Sequence, residues 1–415
     1  MQRRPLRPKR LLPLGIASIV WLGAGLGCSS GSPASSPTPG STASPSSPQP
    51  APTQIAGATL TWNRTTDPSF AGPGDQAINA MSESSGREAR FVAGGVSDHD
   101  GAVWLSADGR TWQKSQEGLG GPGDQVINGM IGATTLTAVG RDTSTGTSDA
   151  AVWTSPDGRT WQPVQDPTFG GPGDQVIYRA SNTKFGLVAG GSDSKGGDPD
   201  AALWVNQGGT WQEITGGALG GPGNQAIYRV KAFGDKLIAV GTDDRTGNFD
   251  AAVWVSADAL HWLRVLDRGG QLGGEGDQGL LDVVQFGKVI FAAGFSSGAQ
   301  GRDAGLWRST DGVLWSRVVG QADLEGPGDQ LINRLFSEAP GFKFAAFGYT
   351  SGADTDAAVW LSLDGSNLQR EVVLGGPGDQ RIQSVAHVAG LLVLVGYDAS
   401  QGNLDAAIWT TELGE

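Results

Sequence analysis

Gly-Gly-Pro-Gly-Asp-Gln-Val-Ile, residues Gly120–Ile127, recurs with variations about every 50 residues. The acidic position of this turn falls at Asp75, Asp124, Asp174, Asn224, Asp277, Asp329 and Asp379. A second marker, Asp-Ala-Ala-Val-Trp and its variants, places its tryptophan at Trp104, Trp153, Trp204, Trp254, Trp307, Trp360 and Trp409. Both markers occur seven times in the same order. A period of this length is typical of β-propellers and solenoids.

One repeat, residues 124–173, contains four short apolar runs, at residues 125–132, 136–140, 150–155 and 160–164. The runs are rich in Val, Ile, Thr and Trp, and they end at clusters of Gly, Pro, Asp or Ser. This pattern predicts four strands joined by tight turns, and no stretch has the apolar spacing of a helix. We therefore predict an all-β fold, a seven-bladed β-propeller with four antiparallel strands per blade.

The two ends of the repeat region complement each other. The last repeat stops soon after Trp409, before a fourth strand, whereas Ala58–Trp62 precedes the first turn and resembles a fourth strand. We predict that the N-terminal strand, residues 58–65, completes the last blade and closes the ring, which removes a free sheet edge. A linear solenoid is the alternative, but it would need distinct capping repeats.

Residues 1–27 have a basic start followed by the apolar segment Leu11–Gly27, the pattern of a secretory signal peptide. The segment ends at Cys28, the one cysteine of the chain, and resembles the lipobox of bacterial lipoproteins, although Gly25 replaces the usual aliphatic residue. The resemblance implies that Cys28 is lipidated and anchors the chain outside the bacterial cell membrane. The alternative is ordinary cleavage nearby. Residues 28–57, including the lipidated cysteine, are predicted to be an extended Ser/Pro-rich tether, and residues 58–415 the propeller.

The charge balance indicates which partners are suitable. Removal of residues 1–27 takes away five of the 29 basic residues and none of the 42 acidic ones, which leaves a formal charge of −18. This sign disfavours binding to DNA or RNA. It favours cations, basic partners or uncharged glycans. We expect a monomer that has the membrane, through its lipid, and an extracellular protein, peptide or glycan as its partners.

The turn after the third strand reads Ser-Ala-Asp-Gly-Arg-Thr-Trp at Ser106–Trp112 and Ser-Pro-Asp-Gly-Arg-Thr-Trp at Ser155–Trp161. It resembles the Asp-box, or BNR repeat, of sialidases and other bacterial propellers, shortened by one residue between Asp and Gly. The turn is degraded at residues 206–209, and Leu368 replaces the tryptophan in the sixth repeat. In that family the box is a structural hairpin remote from the catalytic site. Its Asp is expected to accept backbone N–H bonds, its Gly to adopt a positive φ, and its Trp to pack between blades.

The same resemblance raises the question of sialidase activity. Sialidases grip a carboxylate with three arginines and use a Tyr–Glu nucleophile pair with a further acidic residue. No motif maps these roles onto this chain, although arginines follow the Asp-Gln turns at Arg179, Arg229, Arg334 and Arg381. A fold alone does not confer an activity, so we assign no catalytic residue.

The turn acids are expected to surround the channel mouth: Asp75, Asp124, Asp174, Asp277, Asp329 and Asp379. One interpretation is a cation site, since carboxylates and carbonyls suit calcium. The other, which we favour, is that each Asp caps its own turn and ties blade to blade. A residue that recurs in every blade is typical of a structural role that every blade needs.

Departures from the repeat are better candidates for ligand binding. Aromatic residues follow the second-strand glycine in three consecutive repeats, and a Tyr-Arg pair occupies the innermost strand in two others. Aromatic rings beside hydrogen-bond donors are typical of glycan and peptide sites. The candidate ligand-binding residues are Tyr178, Arg179, Tyr228, Arg229, Phe295, Tyr349 and Tyr397. Packing between blades is the alternative role for each.

These observations predict a surface-tethered, non-catalytic propeller that recognises an extracellular protein, peptide or glycan. A sialidase-like or other glycan-active extracellular enzyme is the first alternative. The second is a structural or assembly scaffold of the cell envelope, which would lack a concave polar pocket.

Overall fold

The computed structural model describes residues 60–413 except 73, 85–88, 133–134, 196, 340–341 and 363–366. The predicted signal peptide, the predicted lipidation site Cys28 and the predicted tether lie outside the described residues. The described chain forms seven four-stranded antiparallel sheets, which confirms the seven-bladed β-propeller. Its helices are three 3-10 turns, Pro68–Phe70, Pro167–Phe169 and Ala322–Leu324, and none of the described helices is long and apolar enough to cross a membrane.

The first four blades follow one another in chain order. Blade 1 contains β2 (Gln76–Glu83), β3 (Phe91–Ser97), β4 (Asp100–Ser106) and β5 (Gln113–Ser115). Blade 2 contains β6 (Gln125–Ile131), β7 (Leu136–Asp142), β8 (Asp149–Ser155) and β9 (Gln162–Pro163). Blade 3 contains β10 (Gln175–Thr183), β11 (Gly186–Asp193), β12 (Asp200–Gln207) and β13 (Thr210–Ile214). Blade 4 contains β14 (Gln225–Phe233), β15 (Lys236–Asp243), β16 (Asp250–Ser256) and β17 (Leu263–Arg264).

The last three blades complete the ring. Blade 5 contains β18 (Gln278–Phe286), β19 (Val289–Gly298), β20 (Gly301–Ser309) and β21 (Ser316–Arg317). Blade 6 contains β22 (Gln330–Ala339), β23 (Phe342–Ser351), β24 (Thr355–Ser362) and β25 (Gln369–Leu374). Blade 7 contains β26 (Gln380–Val388), β27 (Leu391–Asp398), β28 (Asp405–Glu412) and the N-terminal strand β1 (Asn63–Thr65).

The N-terminal strand closes the ring as predicted. Asn63 pairs with Thr410, and Thr65 pairs with Ile408. Of the predicted residues 58–65, the structure describes residues 60–65, and β1 occupies Asn63–Thr65. Like β5 after Trp112, β1 begins immediately after a tryptophan. The first strands of neighbouring blades pack against one another and surround the channel, so β1 lies at the outer rim.

The core lies between blades. Trp104 of blade 1 is completely buried in a cluster with small residues of its own blade, such as Ala93, and aliphatic residues of blade 7, such as Val393. Its indole N–H donates to the carbonyl of Ser69 at 3.0 Å. Small alanines allow the sheets to approach, and the large ring fills the wider space further out.

The turn after the third strand has the expected hydrogen bonds. The carboxylate of Asp108 accepts the backbone N–H groups of Arg110 and Thr111, both at 2.8 Å. Gly109 has a φ of +73°. The Trp112 indole donates to the Gly109 carbonyl at 3.1 Å and packs in the cluster between blades 1 and 7. This hairpin is therefore part of the framework.

Each first strand carries a β-bulge at its middle, where its register with the second strand shifts. A second-strand glycine faces the bulge: a Cβ on Gly140 would lie 1.9 Å from the carbonyl oxygen of Val126. In blade 1 the bulge residue is Asn79, whose amide donates to the Ile127 carbonyl of blade 2 at 3.0 Å, and the asparagines of blades 2 and 6 make the equivalent bond. Bulges re-aim side chains, and here they determine which residue lines the channel.

Candidate functional site

A cavity of about 480 Å³ lies in the central channel. Every blade contributes to its lining, and all the lining residues come from the second half of a first strand or the turn that follows it. The cavity therefore lies toward the end of the channel where the first and second strands join, which we call the cavity end. The Gly-Pro-Gly-Asp-Gln turns lie at the opposite end, which we call the turn end.

The residue after each bulge gives the cavity its chemical character. In chain order these residues are Ala80, Gly129, Arg179, Arg229, Asp282, Arg334 and Ser384. All of them except Gly129 line the cavity, together with Lys231 two residues further along β14. Four cationic side chains thus share the cavity with one carboxylate, in a chain whose formal charge is −13.

Arg179 crosses the channel and is fully engaged with the backbone. Its guanidinium donates to the carbonyl of Asn79 in blade 1 at 2.8 Å and to that of Gln383 in blade 7 at 3.4 Å. A third bond, at 3.4 Å, goes to the carbonyl of Tyr178. The side chain is buried, with 3% of its surface exposed. Arg179 therefore ties three blades together at the channel axis.

Asp282 is the carboxylate of the cavity. One of its oxygens accepts the backbone N–H of Val283 at 2.9 Å, and the other accepts that of Leu335 in blade 6 at 3.0 Å. The Nε of Arg229 lies 3.3 Å from the first oxygen, but this contact is not a hydrogen bond, and this Nε is buried without a hydrogen-bond partner. The Arg229–Asp282 contact is thus an ion pair that leaves a donor unused.

Lys231 and Arg334 are cations in a largely enclosed setting, where Arg334 is buried and Lys231 is partly exposed. Burial lowers the pKa of Lys231 to about 8, an effect that Asp282 opposes and Arg229 reinforces. Burial also lowers the pKa of Arg334 to about 9. Desolvation disfavours the charged form of a base, so both side chains are held as cations at a cost in free energy.

An aromatic layer follows along the first strands, between the cavity and the turn end. The rings of Tyr178 and Tyr228 lie 5.1 Å apart, centroid to centroid, and pack with Leu281, Phe295 and Tyr349. Burial raises the pKa of both phenols. The Tyr228 hydroxyl lies 3.2 Å from the hydroxyl of a second-strand threonine. These tyrosines occupy the bulge position that asparagine occupies in blades 1, 2 and 6.

The other predicted aromatic residues, Phe295, Tyr349 and Tyr397, lie on second strands and are buried. The guanidinium of Arg381 stacks 4.2 Å from the Tyr349 ring centroid, and that of Arg302 lies 5.3 Å from the Phe295 ring. Of the residues predicted to bind ligand, the structure therefore brings Arg179 and Arg229 into the cavity, whereas the five aromatic residues are packed away from it.

The acids of the turn end make hydrogen bonds that tie one blade to the next. The carboxylates of five of them accept a backbone N–H from the preceding blade at 2.9–3.1 Å: Asp75, Asp174, Asp277, Asp329 and Asp379. The sixth, Asp124, contacts the His99 imidazole at 2.8 Å. In the part of the chain that the structure describes, no group of three or more His, Cys, Asp or Glu side chains could hold a metal ion.

Sequence reasoning left Lys231, Asp282 and Arg334 out of the candidate site. Their strands alternate apolar and polar residues only roughly, and the bulge reverses which side chains point inward. One feature of the sequence could have identified Asp282 and Arg334. The residue at the position after the bulge changes from Ala and Gly to Arg, Asp and Ser between blades. Strong variation at one position of a regular repeat marks a site outside the framework.

Comparison with known proteins found similar solved structures but no family. The sequence matches no family model, and the search of curated proteins found no match. Similar solved structures include the WD40 β-propeller domain of Doa1 (13% identity, 85% of this chain and 97% of that one, TM-score 0.49). Trypanosoma rangeli sialidase (15%, 81% and 55%, TM-score 0.47) and the Fusarium graminearum α-L-arabinofuranosidase Arb93A (16%, 69% and 92%, TM-score 0.45) are also similar. With identities of 13–16% and TM-scores below 0.5, these structures assign no function to this chain.

Proposed function

We propose that this protein is a non-catalytic binding propeller that recognises an extracellular protein, peptide or glycan through the cavity in its central channel. The observation that carries the proposal is that the cavity is lined by the positions at which the blades differ. Framework positions repeat because every blade needs them. Positions that vary, and that nevertheless converge on one concave polar space, are suited to a ligand.

The dimensions and polarity of the cavity fit this role. Its volume of about 480 Å³ lies within the range of small-ligand sites, roughly 300–1,000 Å³. A group of this size corresponds to one or two sugar rings or to a few residues of a peptide. The scaffold alternative expects no concave polar pocket, so the cavity favours binding over a purely structural role.

The side chains around the cavity favour binding over hydrolysis. Glycoside hydrolases typically use two carboxyl groups that flank the scissile bond. Asp282 is the one carboxylate among the lining residues, and both of its oxygens accept backbone N–H groups. Its position is therefore fixed by the fold, with no second carboxyl group lining the cavity beside it.

The predicted location is consistent with an open channel. The described chain starts at residue 60 and enters the ring through β1, the outermost strand of blade 7. A tether that starts at the rim leaves the channel ends accessible. We propose that lipid at Cys28 holds the propeller outside the cell membrane, with the cavity presented to extracellular ligands.

The proposal is tested by narrowing the cavity mouth. Ala232 is exposed and lines the cavity, whereas Gln285 occupies the same position in blade 5, is exposed and does not line it. Ligands from a glycan and peptide panel are identified by thermal shift, because a ligand that binds only the folded state raises the melting temperature. Ala232→Trp should abolish the shift, and Gln285→Trp should leave it unchanged.

Two results would contradict the proposal. One is a panel ligand that binds equally well to both tryptophan variants, since its site would lie elsewhere. The other is turnover of glycosides in the same panel that Ala232→Trp removes, since that would assign the cavity to the glycan-active alternative.

A further inference from the structure

The cavity contains more hydrogen-bond donors than its own residues use. Arg334 is 5% exposed, and its guanidinium donates through Nη1 to the carbonyl of the preceding residue, Asn333, while Nη2 is buried without a partner. The Nε of Arg229 also lacks a hydrogen-bond partner. A buried donor without a partner typically destabilises the fold by about as much as a lost hydrogen bond.

Lys231, which is partly exposed, adds a third cation. Its ammonium lies in the same cavity as the two arginines and makes no hydrogen bond or ion pair with any described residue. Its charge interacts with Asp282 and Arg229, but the single carboxylate is already shared with backbone amides. Arg179 differs from these three residues, because its guanidinium bonds are satisfied by carbonyls of three blades.

The charge in the cavity is therefore uncompensated. Arg229, Lys231 and Arg334 face one carboxylate, Asp282, and the fourth cation, Arg179, has only carbonyl partners. Like charges in a desolvated space repel one another strongly, and their burial is expensive without an anion. The framework does not require this arrangement, because blades 1, 2 and 7 have Ala80, Gly129 and Ser384 at the equivalent position.

We propose that the cavity binds an oxyanion group of its ligand, a carboxylate, sulfate or phosphate, through Arg229, Lys231 and Arg334. The inference rests on the proposed function and specifies the chemistry of the ligand. Guanidinium groups present fixed N–H donors that match the oxygens of such anions, and an ammonium adds a point charge. The anion would supply acceptors to the unused donors and would neutralise the excess charge. Asp282 would hold Arg229 in place rather than contact the anion.

The experiment is a titration of the purified protein with sulfate, phosphate and acetate at constant ionic strength, followed by calorimetry. We expect saturable binding that weakens by about tenfold or more in Arg334→Met and in Lys231→Met, because each variant removes a charge-assisted hydrogen bond. Arg381→Met is the matched control. Arg381 also has a buried Nε without a partner, but it stacks on Tyr349 and does not line the cavity.

Sulfate also gives a readout in pH, because it does not titrate in the relevant range. Its affinity should fall as the pH rises from 7 to 9, since Lys231, with a pKa of about 8, loses its charge. In Lys231→Met the dependence between pH 7 and 8 should disappear.

The outcomes separate this inference from the proposed function. Absence of saturable binding by all three anions, or binding that neither Arg334→Met nor Lys231→Met weakens, would overturn the inference. A panel ligand that Ala232→Trp blocks but that no oxyanion displaces would overturn the inference and leave the proposed function intact. Binding of the small anions without any panel ligand at the cavity would support the inference and count against the proposed function. Preference for acetate over sulfate and phosphate would identify the group as a carboxylate.

Discussion

The two ends of the channel are built from the same strands and have opposite properties. At the turn end the same residues recur in nearly every blade, and the aspartates accept backbone N–H groups of the neighbouring blade. At the cavity end the residues differ from blade to blade, and two of the cations, Arg229 and Arg334, have a buried donor without a hydrogen-bond partner. The turn end is acidic, and its carboxylates find hydrogen-bond partners within the fold. The cavity end is basic and has donors that the fold does not use, and this difference is the basis for proposing that it binds a ligand.

The largest effect is expected at the cavity end from removal of its carboxylate. Asp282→Ala would leave Arg229 without its ion partner and two backbone N–H groups without an acceptor. Breaking a buried ion pair on one side typically lowers the free energy of unfolding by about 3–5 kcal/mol. Urea unfolding measures the change. A loss below about 1 kcal/mol would show that the cavity cations do not depend on Asp282.

At the turn end, substitution of a glycine tests how much the backbone conformation, rather than a charge, contributes to stability. Gly328 has a φ of +81°, and a Cβ there would lie 1.9 Å from the carbonyl oxygen of Ser351. Gly402 has a similar φ of +90° with no atom within 4 Å. Gly402→Ala should cost about 1–2 kcal/mol from the left-handed conformation alone, and Gly328→Ala at least about 1 kcal/mol more. Equal losses in the two variants would mean that the turn relaxes without strain.

Removal of a cation from the cavity should increase the stability of the fold, whereas the substitutions above decrease it. Lys231→Met is expected to raise the free energy of unfolding at pH 7 by about 1–3 kcal/mol in the absence of anions, because a partly buried charge without an ion-pair partner is replaced by an apolar group. Lys288→Met, in an exposed turn, is the control and should change little. A destabilised Lys231→Met would indicate that the lysine has a structural partner.

The lowered pKa of Lys231 predicts how the stability of the fold depends on pH. Its pKa in the folded protein, about 8, lies below the ordinary value of 10.5, so the unfolded chain binds more protons between these values. Stability should therefore rise as the pH increases through this interval, and Lys231→Met should remove the rise. Urea unfolding at pH 7, 8, 9 and 10 measures the difference between the two proteins. Parallel curves would contradict the assignment.

The smallest effect is expected from a single turn acid. Asp277→Ala removes one bond of 3.1 Å to the Phe249 N–H and should cost about 1 kcal/mol. Because the acids bond to backbone, neither calcium nor a chelator should shift the melting temperature of the unmodified protein. A rise in melting temperature with calcium would instead favour the cation site at the turn end.

The sequence predicted the framework well and the site only in part. The period, the four runs of each repeat and the complementary ends identified seven blades and the closing strand, because framework residues must recur in register. Arg179 and Arg229 were singled out as departures from the repeat. The aromatic residues beside them were assigned the same role, but burial at the bulge and on second strands depends on tertiary packing. Arg334 follows the repeated turn as Arg179 and Arg229 do, but it was left out because asparagine rather than tyrosine precedes it. Lys231 and Asp282 were missed because a β-bulge changes which face a side chain occupies, and a single sequence does not show the bulge.

The most direct measurement is the position of a heavy oxyanion in a crystal of the protein soaked in selenate, located by anomalous diffraction. We predict one strong anomalous peak in the central cavity, within hydrogen-bond distance of Arg334 and Lys231, and no peak at that position in Arg334→Met crystals. Selenate bound elsewhere, with an empty cavity at a concentration that saturates other sites, would contradict the claim that the cavity end is completed by an anionic ligand.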